Sequence, residues 1–170
     1  MFGTRTAVSR EVSHENRANH PVVQHLQCQV ANAFVLYANY KHYHWQTFGP
    51  LFRDLHLMFD EFATEVLDTI DHMAERIRMM GPDVANVQLK EMQEAARVRS
   101  AGPHQNTRDM VEEADMNLLL VIKDMRDAAR IADESNDPGT VDLFSRLVQI
   151  HEKQEWFLRQ VLKKKDGILG

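Results

Sequence analysis

From residue 21 onward, apolar residues recur at spacings of three and four. Val23, Leu26, Val30, Ala33, Tyr37 and Tyr40 form the first such stripe, the pattern of an amphipathic helix. Pro21 suits the first turn, where a missing N–H costs nothing, and Gly49-Pro50 ends the pattern. A second stripe follows at once: Phe52, Leu55, Phe59, Phe62, Val66, Ile70, Met73, Ile77 and Met80, stopping at Gly81-Pro82. That length is about eight turns. Residues 83–103 form a connection too long to be expected without structure of its own, and Gln88 to Arg97 are expected to contain a short helix. A third stripe (Val111, Ala114, Leu118, Val121, Met125, Ala128, Ala132) begins near Asn106-Thr107 and ends around Ser135 to Gly139. The last comprises Val141, Phe144, Val148, His151, Leu158 and Leu162, followed by Lys163-Lys164-Lys165. Residues 1–20 lack periodicity and read as a flexible arm, and 166–170 as a short tail.

Four long helices, tight turns within each pair and one long crossover describe an all-α four-helix bundle over residues 21–165. This is the ferritin-like arrangement, here with a short helix in the crossover. Composition agrees. The 170 residues are 44% hydrophobic, enough for one well-formed core, and 7 glycines and 5 prolines are too few for a many-turned β protein. No apolar run approaches the roughly 20 residues that span a bilayer, no signal peptide is visible, and a single cysteine, Cys28, fits a reducing cytoplasm. The net charge of −5 argues against DNA as the main ligand, because phosphate contacts need clustered Lys and Arg. It suits a protein that attracts cations.

The second helix carries four candidate metal ligands, His56, Asp60, Asp71 and Glu75, as two i, i+4 pairs. With Asp60 as zero and about 100° per residue, His56 lies at about −40°, Asp71 at about +20° and Glu75 at about +60°, while the apolar stripe centres at about −100°. The ligand face therefore turns away from the chain's own core. The two pairs are separated by roughly 16 Å along the axis, and metal–ligand bonds are about 2 Å, so one ion cannot bind both. Both 56 with 75 and 60 with 71 share the midpoint between Glu65 and Val66. Two copies crossing antiparallel there would face His56/Asp60 of one chain with Asp71/Glu75 of the other, giving two sites per dimer. His44 precedes Gly49 by about as much as His56 follows it, so a helical hairpin adds a second imidazole. Such a mixed N/O set suits Fe(II), Mn or Zn. Any one pair alone reads more often as a solvated surface pair; the joint symmetric pattern brings the two readings level.

At these residues the sequence resembles the Dps family, the starvation-induced DNA-binding mini-ferritins. The likeness rests on Tyr43-His44-Trp45, Gly49-Pro50, Leu55 through Glu61, Asp71-x-x-x-Glu75-Arg76-Ile77, Gln88 through Glu91, Asp137-x-x-Thr140-x-Asp142 and Glu152-Lys153-x-x-Trp156. It covers roughly residues 22–163. The resemblance implies a hollow homododecamer with a di-iron ferroxidase centre at each two-fold interface. His44, His56 and Asp60 would come from one subunit, and Asp71 and Glu75 from its mate. It further implies oxidation of Fe(II) by hydrogen peroxide or O2, storage of Fe(III) mineral, and protection from oxidative damage.

Further roles follow from the same likeness. Trp45 would lie beside the centre and intercept stray oxidising equivalents, or simply pack at the dimer interface. Glu61 and Glu65 would line the cavity and nucleate mineral, or form a solvated face. Asp133, Glu134, Asp137 and Asp142 would form an acidic pore, although Asp137 also fits as a helix cap. His72, beside Asp71, reads as an extra ligand or as uninvolved, and His14, His20 and His25 as a further metal group near the arm. His151, in an apolar stripe, reads as a core histidine. Competing functions are a DNA-compacting, nucleoid-associated protein whose metal site is structural or vestigial, and a helical module whose polar stripe joins a dimer.

Overall fold

The computed structural model describes residues 17–85, 88–103 and 105–163. Most of the arm, with His14, and the tail with Lys164 and Lys165 lie outside them. Within them are α1 (Pro21–Gln46), α2 (Phe52–Met80), α3 (Leu89–Ala95), α4 (Thr107–Glu134) and α5 (Pro138–Val161), with no strand among the described residues.

Local chemistry sets each boundary. The His20 ring accepts from the Val22 N–H, and Pro21 opens α1. That helix stops at Gln46, short of the Gly49-Pro50 pair, because Thr47 turns extended while its N–H still reaches the Tyr43 carbonyl. Gly49 then takes φ +93°, a conformation that favours glycine. A second positive-φ glycine, Gly81 at φ +114°, closes α2. Reciprocal bonds between Asn106 and Asp109 start α4. Asp137 caps α5 by accepting from the Thr140 N–H, which places the helix start at Pro138, ahead of the apolar stripe.

The helices pair as two hairpins, α1 with α2 and α4 with α5, and α1 packs on α4. Leu26, Tyr40, Phe59, Phe62, Met73, Leu118, Met125, Phe144 and Leu158 fill the space between them, all essentially inaccessible. Each such side chain contributes about 1.5–3 kcal/mol through burial.

The crossover is held by three buried asparagines. Asn32 accepts from the Arg97 N–H at 2.7 Å, Asn117 from the Arg99 N–H at 2.9 Å, and Asn39 from the Ala101 N–H at 2.7 Å. Asn39 and Asn117 also donate to the Arg99 carbonyl. These amides satisfy an irregular segment that has no ladder of its own. Arg97 adds a forked pair to the buried Asp124, 2.6 Å to each oxygen.

Candidate metal centre

The α1–α2 hairpin lays residue 44 beside residue 56. His44 Nδ1 is 2.7 Å from the His56 carbonyl, and His56 Nδ1 is 2.8 Å from the His44 carbonyl. A carbonyl only accepts, so Nδ1 must carry the hydrogen in both rings. In the neutral ring that tautomer leaves Nε2 with its lone pair, the form in which imidazole binds a metal. The rings stack with centroids 3.7 Å apart, and Phe52 stacks on His56 at 5.1 Å. Backbone and packing thus fix both donors before any ion arrives.

Asp60 lies one turn beyond His56, half exposed. Lys41 Nζ donates to its Oδ1 at 2.5 Å. That hydrogen bond first, and the ammonium charge second, hold the Asp60 carboxyl below the usual carboxylate range. Its ionised form is therefore the prevailing one.

Asp71 and Glu75 are exposed on the outer face of α2, three turns further on. Neither makes an ion pair or side-chain hydrogen bond among the described residues, and none of them belongs with two other His, Cys, Asp or Glu side chains in a metal-sized group within one chain. The single chain therefore brings His44, His56 and Asp60 to one region and leaves Asp71 and Glu75 apart from it. His72 turns towards Asp68 at 3.6 Å.

Several exposed apolar residues lie along the hairpin that carries the histidines. Trp45 is 65% exposed and Phe48 60%, with Leu51, Phe52 and Leu57 also open to solvent. The Lys41 ammonium lies 5.8 Å from the Trp45 ring centroid.

The remaining candidates separate. Glu61 is exposed. Glu65 is drawn to the α2–α5 seam instead of sharing an open face with it, accepting from Gln154 Nε2 at 2.9 Å and Lys153 Nζ at 3.3 Å. Its position about 120° from the stripe centre is near enough to reach α5. Asp133 and Glu134 are exposed at the α4–α5 turn, and Asp142 pairs with Arg146 at 3.1 Å. Asp137 is committed to the fold. Burial opposes its ionisation, but the Thr140 hydroxyl and amide, with Arg76 at 2.5 Å, hold its carboxyl below the usual range. His20 is the α1 cap, and His42 packs edge-on against Tyr43. His151 is the core histidine the stripe suggested, donating from Nδ1 to Gln154; burial depresses it to about 4.

Lys41 is the functional neighbour that sequence reasoning missed. Its spacing of three from His44 and four from Trp45 was the available signal, since such residues share a helix face.

Residues 23–168 match the ferritin family, described as a ferritin-like domain. The chain is 34% identical over 154 residues to DNA protection during starvation protein 1 of Deinococcus radiodurans, covering 87% of this chain and 72% of that protein. Among solved structures it is similar to Dps from Thermosynechococcus elongatus, at 44% identity and a TM-score of 0.85 over 88% of this chain and 94% of the other. It is also similar to a Dps protein from Vibrio cholerae O1, described as a member of a broad superfamily of ferritin-like diiron-carboxylate proteins. There the identity is 28% and the TM-score 0.78, over 88% of this chain and 91% of that one. These matches in sequence and shape extend over most of the four-helix bundle and its crossover, and the chain belongs to the Dps family of ferritin-like proteins.

Proposed function

We propose that this protein is an iron-oxidising and iron-storing mini-ferritin. Its ferroxidase centre is assembled between two subunits, with His44, His56 and Asp60 from one and Asp71 and Glu75 from the other. The observation that carries this reading is the division of α2's outer face. One half-set is pre-positioned by the hairpin, the other stands exposed roughly 16 Å away, and the two are symmetric about residues 65 and 66. An antiparallel crossing of two α2 helices completes both centres at once. The exposed Trp45 and Phe52, beside His44 and against His56, supply apolar surface for that contact. The Vibrio cholerae relative's description as a diiron-carboxylate protein supports iron as the metal.

Fe(II) is the substrate. Two ferrous ions give one electron each to hydrogen peroxide; with two protons the peroxide becomes two waters, and two ferric ions result. Pairing the electrons avoids the one-electron route to hydroxyl radical. The two Nε2 atoms, oriented by the hairpin carbonyls, and the ionised Asp60 would be this subunit's donors to the ions. Dioxygen is the alternative oxidant, Zn(II) or Mn(II) the alternative occupants, and a hollow dodecamer the store, with Glu61 lining it. Trp45, beside the centre, is the residue placed to take a stray oxidising equivalent.

Anaerobic Fe(II) mixed with peroxide should give ferric absorbance much faster with the protein than in buffer. The double variant Asp71→Ala/Glu75→Ala should lose that acceleration while melting like the wild type. An unchanged rate in that variant, or a stable monomer by sedimentation, would falsify the shared centre.

The Deinococcus relative's name points to DNA protection. With a net charge of −5, protection here is assigned to removal of Fe(II) and peroxide instead of to DNA compaction. Retarded DNA migration persisting above physiological salt would favour compaction.

A further inference from the structure

Lys41 reaches the Asp60 carboxylate from the opposite helix of the hairpin and is fixed there. Its Nζ is 2.5 Å from Oδ1 and 5.8 Å from the centroid of the Trp45 ring, and its side chain is only 25% exposed. Lying three residues before His44, it occupies the same face of α1, so its charge stands beside the imidazole donors.

Two consequences follow from elementary electrostatics. An ammonium on Oδ1 competes with a further cation for that oxygen and leaves Oδ2 the less encumbered one. A fixed positive charge within a few ångströms also repels an incoming divalent ion, less than in a dry interior because Asp60 is half exposed. Building on the iron reading above, we propose that Lys41 limits how tightly the centre holds a divalent cation, by competing for one Asp60 oxygen and by opposing the ion's charge. A centre that hands its ions on to a store is served by such moderated binding.

The competing account makes Lys41 a simple hairpin ion pair, important for stability alone. Zn(II) separates the two, being a redox-silent probe whose binding is read by calorimetry without turnover. Full-length protein stripped with a chelator is titrated as wild type, Lys41→Met and Lys41→Arg, each checked by thermal melting. Lys41→Met should bind Zn(II) about tenfold more tightly, and Lys41→Arg, which keeps the charge, should match the wild type. Equal or weaker binding by Lys41→Met overturns the proposal. So does Lys41→Arg binding as tightly as Lys41→Met, because then packing and not charge sets the affinity. Wild-type protein that takes up no Zn(II) would instead sink the iron reading, and this inference with it.

Discussion

Helix α2 carries two populations of charged residues that behave in opposite ways. On its outer face His56, Asp60, Asp71 and Glu75 are exposed or half exposed, and two of them engage nothing else among the described residues. On its inner flank Glu65 and Arg76 are tied to α5, through Gln154 and Lys153 in one case and Asp137 and Thr140 in the other. Charge along one helix thus divides by commitment: the inner groups tie α2 to α5, whereas Asp71 and Glu75 on the outer face engage nothing among the described residues. Changes to the outer set should cost activity without stability, and changes to the inner network the reverse.

Mixing two inactive proteins gives the largest effect. His56→Ala/Asp60→Ala chains and Asp71→Ala/Glu75→Ala chains should each oxidise Fe(II) no faster than buffer. After joint unfolding and reassembly, the mixture should recover about a quarter of wild-type activity, because half the dimers are mixed and each holds one complete centre. Centres built within single chains predict no recovery at all, which stopped-flow absorbance would show at once.

The next effect lies in the core network that includes Glu65. His151 is buried neutral and depressed to about 4, whereas an unfolded histidine titrates near about 6.5. Between those values the unfolded chain binds a proton that the folded chain refuses, so stability falls as pH is lowered through that window. The loss amounts to about 3 kcal/mol by pH 4. Denaturant titrations at several pH values should show this slope in the wild type and a flatter one in His151→Leu. Equal slopes would mean that other groups dominate the acid limb.

A smaller change is expected from Arg76→Ala. Removing the guanidinium beside the mostly buried Asp137 should destabilise the bundle by about 1–2 kcal/mol and leave iron oxidation in place. The depressed Asp137 carboxyl contributes stability above its unfolded value of about 3.9, and that contribution disappears as pH falls through the lower folded value. The variant should therefore lose less than the wild type below about pH 4. A drop in iron oxidation with no change in melting would contradict the division between the two flanks.

Much of this was legible from the chain. The breaker pairs and apolar stripes placed the four long helices, and the length of the crossover called for the short one, with α2 bounded as its pattern indicates and α1 ending earlier than its breaker. The hairpin register followed from the same breakers, so the approach of His44 to His56 was readable too. The reciprocal ring-to-carbonyl bonds were not, because periodicity assigns a face and says nothing about χ angles or tautomers. Glu65 escaped because a long side chain near the edge of a stripe can point either way, and only the position of α5 decides. Asn32, Asn39 and Asn117 carry no signal in the apolar pattern; their role exists only once the crossover lies over them.

The histidine staple has a consequence for assembly. The carbonyls that orient the two rings belong to the same two residues, so a hairpin annealed with a slip of even one position loses both contacts and both donors together. On the iron reading proposed above, a mispaired subunit would offer ferrous ion no paired imidazoles, so competence for oxidation would be contingent on correct alignment of the first two helices.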